Sequence, residues 1–288
     1  MNKTMDHDKR KRLRDYVEKM DGSFEPLTES THQVRVFSFE GKEYILKRQM
    51  LSADRLSPFW KLMKWVFASD FSVQRQQMPA LIDFLKSECI LKVPEFLFAD
   101  EERGIQVLER CQGYGYEPDQ FPKEVSFQLG EFIASLHRHT FSSGGTFAHH
   151  PCKDLKQRMD LAAERLIEEV WGNAKELRIY WKQIKEIQFS QEKYVLMMAD
   201  ISANQFLFSQ SFDRLEAVVD LDAYVIGPRE WELAVLKECV TDWKAFQLGY
   251  ETRLPFPEAV ESYRYYTFLM ALCDPWNPSA VKKCLSVD

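Results

Sequence analysis

The sequence predicts an α+β chain in which a small sheet-rich part comes first and a larger, mainly helical part follows. Three observations carry this. Segments that alternate polar and apolar residues lie mostly before residue 110, and long stretches with helical spacing follow residue 124. Between them, QGYGYEPDQFPK (112–123), rich in Gly, Pro and Tyr, marks a change of character. The expected parts are therefore 1–112 and 113–288.

Bulk properties narrow the function classes. A chain of 288 residues can bury one sizeable core or two smaller ones, and 45% hydrophobic with 28% charged residues is a globular composition. The net charge is −6, from 38 basic and 44 acidic residues, which argues against nucleic acid as a general partner. The opening residues carry no apolar signal region, and no run approaches the ~18–20 apolar residues that span a bilayer. Six cysteines are scattered without a C-x-x-C pair, as expected of reduced thiols in a cytoplasmic protein rather than of a zinc site.

The elements follow in order. KRKRLR (9–14) reads as the solvated face of a starting helix. QVRVFSF (33–39) and EYILKRQ (43–49) flank a turn at Gly41 and predict a hairpin. LSPFWKLMKWVFASDF (56–71) is helical in period; its aromatics alternate with Lys61 and Lys64, which suits a membrane surface or, alternatively, packing on the sheet part or a lid. SVQRQQMPALIDFLKSECI (72–90) predicts a helix broken or begun near Pro79, and VPEFLFADEERGIQVLERCQG (93–113) two strands joined by an acidic turn. In EVSFQLGEFIASLHRHTF (124–141), Phe127, Leu129, Phe132, Ile133 and Leu136 share one side of a helix. One or two long helices occupy 154–187, strands surround Asp200 and Asp220, and PREWELAVLKECVTDWKAF (228–246) returns to helix.

Lys47 ends a strand, Asp200 and Asn204 share a short loop between apolar runs, and Asp220 closes a β-rich run with Asp222 two residues on. Phosphoryl transfer from ATP uses these parts: a lysine on the phosphates, an aspartate that takes the proton of the attacking hydroxyl, and hard oxygens for Mg²⁺. Singly, each residue has a plain reading. Lys47 could be a snorkelling surface lysine, Asp200 and Asn204 turn residues, and Asp222 a strand-end turn aspartate as readily as a second metal contact. His137 and His139 read as a helix-end pair and His149 and His150 as a loop pair rather than as metal ligands. Tyr114 and Tyr116 could stack on a substrate or cover the seam between the two parts.

ADISANQFLFSQSFDRLEAVVDLDAYVIGPREWELAVL (199–236), LGEFIASLHRH, KEYILKRQ and ILKVPEFLFADEERGIQVLERCQG together resemble the aminoglycoside phosphotransferase and choline kinase-like enzymes, over roughly residues 30–250. The resemblance implies a protein kinase-like two-lobed fold: a small N-terminal antiparallel sheet lobe that binds nucleotide, and a larger helical C-terminal lobe with the catalytic loop and acceptor site. It implies ATP and Mg²⁺ as cofactors and a small hydroxylated molecule, aminoglycoside-, choline- or sugar-like, as phosphoryl acceptor. Asp200 would be the catalytic base; Asn204 and Asp220, with Asp222 as a further candidate, the metal ligands; and Lys47 the phosphate-binding lysine. Glu109, Arg110 and Cys111 would form the adenine-binding hinge, and Gln77 would stand where a helix glutamate usually pairs with the lysine.

The chain departs from that pattern at four points. Met198 replaces a histidine, three residues rather than four separate Asp200 from Asn204, Gln77 is neutral, and the phosphate-covering stretch PLTESTHQV (26–34) has no glycine, leaving Ser30, Thr31 or His32 to help. These departures keep a second expectation open: a catalytically impaired pseudokinase that binds nucleotide or acts as a scaffold.

Overall fold

Val34 to Phe39 and Lys42 to Gln49 are joined by Glu40 and Gly41, both at positive φ (48° and 74°), the left-handed pair that a two-residue hairpin turn requires. The computed structural model of the protein describes residues 7–21, 32–50, 56–147, 150–187, 194–257 and 261–286. The chain divides into two units, Met1–Arg55 with Pro94–Arg110, and Leu56–Val93 with Cys111–Asp288.

The first unit holds helix α1 (His7–Asp21) and strands β1 (His32–Phe39), β2 (Lys42–Gln49), β3 (Phe96–Asp100) and β4 (Ile105–Glu109). All pairings are antiparallel, in the order β1-β2-β4-β3. Leu13 and Val17 of α1 pack with Phe37, Tyr44, Leu46, Leu97, Phe98, Ile105 and Val107 as one core. The basic face of α1 is tethered: Lys9 and Arg12 pair with Glu40, and Arg14 lies over the Phe98 ring at 5.0 Å. Their charges hold the Glu40 carboxyl below the usual carboxylate range, the Arg12 hydrogen bond being the largest cause.

The second unit begins with α2 (Pro58–Phe67) and α3 (Phe71–Glu88). Ser57 and Asp70 cap them through side-chain oxygens, and Pro79 is carried inside α3 without ending it. Both helices fell in the first part on the sequence reading, but their contacts place them in this unit. The reason is apolar: Trp60, Leu62, Met63, Val66 and Phe67 are buried in its main core beside α5 (Leu155–Glu169). The stretch 58–67 is thus a helix whose apolar face is taken up by the second unit's core.

Onward from there run β5 (Tyr114–Gly115), α4 (Ser126–His137), β6 (Thr140–Phe141), β7 (Gly144–Thr146), β8 (His150–Cys152), α5, α6 (Lys175–Ile184) and β9 (Tyr194–Met198). Next come β10 (Phe206–Phe208), β11 (Leu215–Val218), β12 (Tyr224–Pro228), α7 (Arg229–Cys239), α8 (Trp243–Glu251), α9 (Ser262–Ala271) and α10 (Pro278–Leu285). Two sheets form, β11-β10-β5 and β6-β9-β12-β7-β8. In α4, Leu129, Phe132, Ile133 and Leu136 are buried as expected, whereas Phe127 is 43% exposed. Helix α4 meets α8 through glycines: a Cβ on Gly130 would lie 2.1 Å from the Phe246 carbonyl oxygen, and one on Gly249 only 1.9 Å from that of Phe127.

Candidate active site around Asp200

Strand β9 is apolar through Met198, and the chain then turns at Ala199 and Asp200 into a single 3₁₀ turn, Ala203–Gln205, before β10. Three contacts fix the turn. Glu232 accepts the Met198 N–H at 2.7 Å, Trp231 Nε1 donates to the Ala199 carbonyl at 3.2 Å, and the Ala199 N–H donates to the Ala223 carbonyl at 3.1 Å. Glu232 is itself held by His137 (2.6 Å), whose other ring nitrogen meets the Tyr250 hydroxyl at 2.9 Å. The Met198 position therefore needs no histidine to anchor the loop, because an adjacent helix supplies the polar partner.

Gln205 does the local orienting. Its Nε2 donates to the Asp200 main-chain oxygen (3.1 Å) and to Asp200 Oδ1 (3.0 Å), and its Oε1 accepts the Ser202 N–H at 3.2 Å. Asn204 is exposed and turned elsewhere: its Oδ1 accepts from the Ser202 hydroxyl at 2.7 Å, and its Nδ2 donates to Asp119 Oδ1 at 3.4 Å. Gln205 stands four residues after the residue that follows Asp200, so the amide with four intervening residues is present as a glutamine. It is this amide, and not that of Asn204, that touches Asp200.

The Asp200 carboxyl is pushed up to about 7, first by burial and then by the negative charge of Asp220, with Asp222 adding a smaller push and the Gln205 hydrogen bond opposing. Asp200, Asp220 and Asp222 thus share one electrostatic neighbourhood, with Asp220 exposed and Asp222 buried. Among the described residues no three His, Cys, Asp or Glu side chains make a metal cage of their own. A magnesium ion does not need one: it is ordinarily held by one or two carboxylates together with phosphate oxygens and water. Asp220 and Asp222 supply hard oxygens of that kind, and a divalent cation would relieve the crowding of negative charge that Asp200 registers.

The other predicted residues fall as follows. Lys47 lies in the first unit, on the inner strand β2 and only 8% exposed, so it is no surface lysine; in register it faces Gln106, also buried. The Glu109 and Arg110 N–H groups donate to the carbonyls of Glu95 and Glu43, and their side chains pair with Lys42 and Glu43. Cys111, a half-buried thiol, opens the second chain segment of the second unit. Gln77 is a tie within the second unit: its Nε2 donates to Gln74 Oε1 (2.7 Å) and the Tyr224 carbonyl (3.0 Å), and its Oε1 accepts the Phe147 N–H at 2.9 Å. His139 pairs with Glu88 at 2.6 Å. Tyr114 is half exposed, and the Tyr116 ring packs against Phe208 and Phe212. Residues 26–31, with Ser30 and Thr31, and His149 lie outside the described residues, while His32 opens β1.

The sequence matches the model of the phosphotransferase enzyme family over residues 25–264. The chain belongs to that family. A search of curated proteins finds no match. Among solved structures, it is similar to a macrolide 2'-phosphotransferase from Brachybacterium faecium, with 13% identity, TM-score 0.57 and 96% of each chain covered. The ternary complex of streptomycin, ATP and the APH(2'')-IIa enzyme gives 14% identity and TM-score 0.56, covering 99% of this chain and 98% of that one. A choline kinase from Streptococcus pneumoniae gives 16% identity and TM-score 0.53, covering 96% and 93%. These likenesses establish the kinase-like fold for this phosphotransferase family member.

Sequence reasoning did not single out Gln205, Asp119 or Glu232, and it read His137 only as one of a helix-end pair; all four support the Asp200 turn directly or through one another. Gln205 was hidden by the nearer Asn204, which carries the expected amide at the wrong spacing. Asp119 sits in the Gly-, Pro- and Tyr-rich connector, and its role depends on a backbone bond from Ala203 N–H to its carbonyl as well as on the Asn204 contact. Glu232 and His137 were visible only as parts of the helical motifs WELA and LHRH. At zero side-chain exposure the Glu232 carboxylate and the His137 imidazole need each other, and that burial is not written in the local sequence.

Proposed function

We propose that the protein transfers the γ-phosphoryl group of ATP to a hydroxyl of a small molecule. The observation that carries this reading is the Asp200 carboxyl, raised to about 7 beside Asp220 and Asp222 and oriented by Gln205. A carboxylate in that range is suited to accept a proton near neutral pH. Its Oδ1 is engaged by Gln205, so Oδ2 is the oxygen assigned to the acceptor hydroxyl, which would be aligned for attack as its proton leaves.

Asp220, Asp222 and the Asn204 amide oxygen are assigned to magnesium, which when bound supplies neutralisation of phosphate charge. Lys47 is assigned to the ATP phosphates and Glu109 to Cys111 to the adenine, the roles that the family resemblance gives them. Two of the similar structures carry such molecules in their names, streptomycin with ATP in one and choline in the other, which supports a small hydroxylated acceptor for this chain.

Nucleotide binding separates this proposal from an unrelated use of the fold. Thermal melting with ATP and Mg²⁺ is expected to raise Tm in the wild type, with the magnesium-dependent part lost in Asp220→Ala. Equal shifts in the two proteins would remove Asp220 from the site, and no shift in either would sink the ATP-dependent reading.

A further inference from the structure

The polar groups behind the Asp200 turn form a closed circuit that begins and ends on α7. Arg229 and Glu232 stand three residues apart there, on one side of the helix. From Arg229 the contacts run to the Tyr250 hydroxyl on α8, then to His137 Nδ1 at 2.9 Å, and from His137 Nε2 to Glu232 at 2.6 Å. Glu232 takes the Met198 N–H at 2.7 Å, and its neighbour Trp231 donates to the Ala199 carbonyl at 3.2 Å. Arg229 also pairs with Glu230 at 3.3 Å. The close approach of α4 and α8 brings these groups together: a Cβ on Gly130 would lie 2.7 Å from the Tyr250 nitrogen. Phe246 and Phe256 seat the buried Tyr250 ring, with centroids at 6.3 and 5.2 Å, and the His137 ring stands edge-on to it at 5.7 Å.

Only one arrangement of protons gives each link of the circuit a donor and an acceptor. A guanidinium has donors only, so the Tyr250 oxygen accepts from Arg229 and its single proton is left for His137. Burial holds that phenol protonated, above its ordinary range, although the guanidinium opposes the shift. His137 Nδ1 is then the bare nitrogen, and Nε2–H donates to Glu232. The other neutral tautomer would turn a bare nitrogen toward a carboxylate oxygen at 2.6 Å. An imidazolium would donate to the Tyr250 oxygen and strand the phenol proton in a fully buried place.

We propose that Tyr250 and Arg229 are positioning residues for phosphoryl transfer: they keep the His137 proton on Nε2, and Glu232, with its other oxygen on Met198, passes that constraint to the backbone that carries Asp200. The role rests on the reading of Asp200 as the base. Both residues act through Glu232 and not on the reacting atoms. A proton on Nδ1 would share the Glu232 charge with an imidazolium and weaken its hold on the Met198 N–H.

Tyr250→Phe removes one oxygen and keeps the ring packing, and Arg229→Met removes the donor that orients that oxygen. Nitrogen-15 spectra of the full chain should show His137 Nδ1 bare in the wild type and protonated in part in either variant. The Met198 amide should exchange faster with solvent in both. The kcat for phosphorylated product should fall about tenfold, inside the roughly 10²-fold that a misplacement of ~1 Å costs, with KM for ATP within about twofold. Tyr265→Phe is the control: it loses a hydroxyl bonded to Asp160 at 2.7 Å, outside the circuit, and should lower Tm without moving kcat. Should Tyr250→Phe fail to fold by circular dichroism, the half-buried Arg229 carries the test. An unchanged Nδ1 in the folded variants, a kcat equal to the wild type's, or an equal loss of kcat in Tyr265→Phe overturns the role. A wild type that forms no product, or forms it no faster than Asp200→Asn, is a different failure: it overturns the Asp200 reading and this role with it.

Discussion

Glu232 accepts the Met198 N–H at 2.7 Å with one carboxylate oxygen and meets His137 at 2.6 Å with the other. One fully buried side chain thereby ties helices α4 and α7 to the start of the Asp200 turn. Removing it leaves one imidazole nitrogen and a backbone N–H without partners in a dry interior, while the other ring nitrogen keeps the Tyr250 hydroxyl. Glu232→Ala should cost about 3–5 kcal/mol of unfolding free energy, and the isosteric Glu232→Gln about 1–3 kcal/mol. Urea denaturation measures both; losses under about 0.5 kcal/mol, the scale of ordinary surface changes, would show that the turn is anchored elsewhere.

Gln205 lowers the Asp200 carboxyl while burial and the neighbouring aspartates raise it. Gln205→Leu removes the lowering contact, so the acid limb of the kcat/KM profile should move to higher pH, and kcat should fall by less than the about 10²–10⁴-fold that the general base itself contributes. Asn204→Ala leaves the Asp200 contact intact and should leave that limb in place. A shift in Asn204→Ala with none in Gln205→Leu would reverse the assignment of the two amides.

The raised Asp200 carboxyl has a consequence for stability opposite in sign to that of a paired aspartate. Its folded value, about 7, lies above the ordinary 3.8, so between those values the folded state holds the proton more firmly than the unfolded chain. The contribution is complete below the unfolded value and is lost as pH rises through the folded one. Metal-free protein should therefore lose stability from about pH 4 to pH 7 in a part that Asp200→Asn abolishes, by an amount on the order of 4 kcal/mol at most. Saturating Mg²⁺ should shrink the difference between the two proteins. Parallel stability–pH curves for wild type and Asp200→Asn would contradict the crowding of charge inferred for this site.

Alanine normally improves a helix over glycine by about 1 kcal/mol. At Gly130 and Gly249 the opposite is expected, because the added carbon would meet backbone oxygens at 2.1 and 1.9 Å, and backbone cannot swing aside as a side chain can. Each Gly→Ala change should destabilise by about 1–3 kcal/mol or more. An unchanged or raised Tm in either variant would mean that α4 and α8 are not in such close approach.

The hairpin around Gly41, the β3–β4 pair and the helices over 126–137, 155–184 and 229–239 were legible because each has a complete local signal of period, turn or cap. Asp200 and Asp220 stand out in the sequence because an acidic residue interrupts an apolar run, and the structure brings the two into one electrostatic neighbourhood. What stayed hidden depends on distant partners. The amphipathic stretch at 58–67 shows an apolar face but not which core will take it, and it joined the larger one. Gln77 looked available to a lysine until Tyr224 and Phe147, 147 and 70 residues away, were seen to hold its amide. Phe127 fits the helical stripe yet is exposed, since the close approach at Gly249 uses its backbone rather than its ring.

The central claim is that Asp200 takes the proton of an acceptor hydroxyl during phosphoryl transfer from ATP. Mass spectrometry of products formed from ATP, Mg²⁺ and a panel of hydroxylated amines, sugars and amino alcohols tests it most directly, with wild type beside Asp200→Asn. The account predicts at least one acceptor heavier by one phosphoryl group with the wild type and a loss of about 10²–10⁴-fold in its rate of formation with Asp200→Asn. Equal yields from the two proteins, or no phosphorylated acceptor from a wild type that binds ATP, would contradict it.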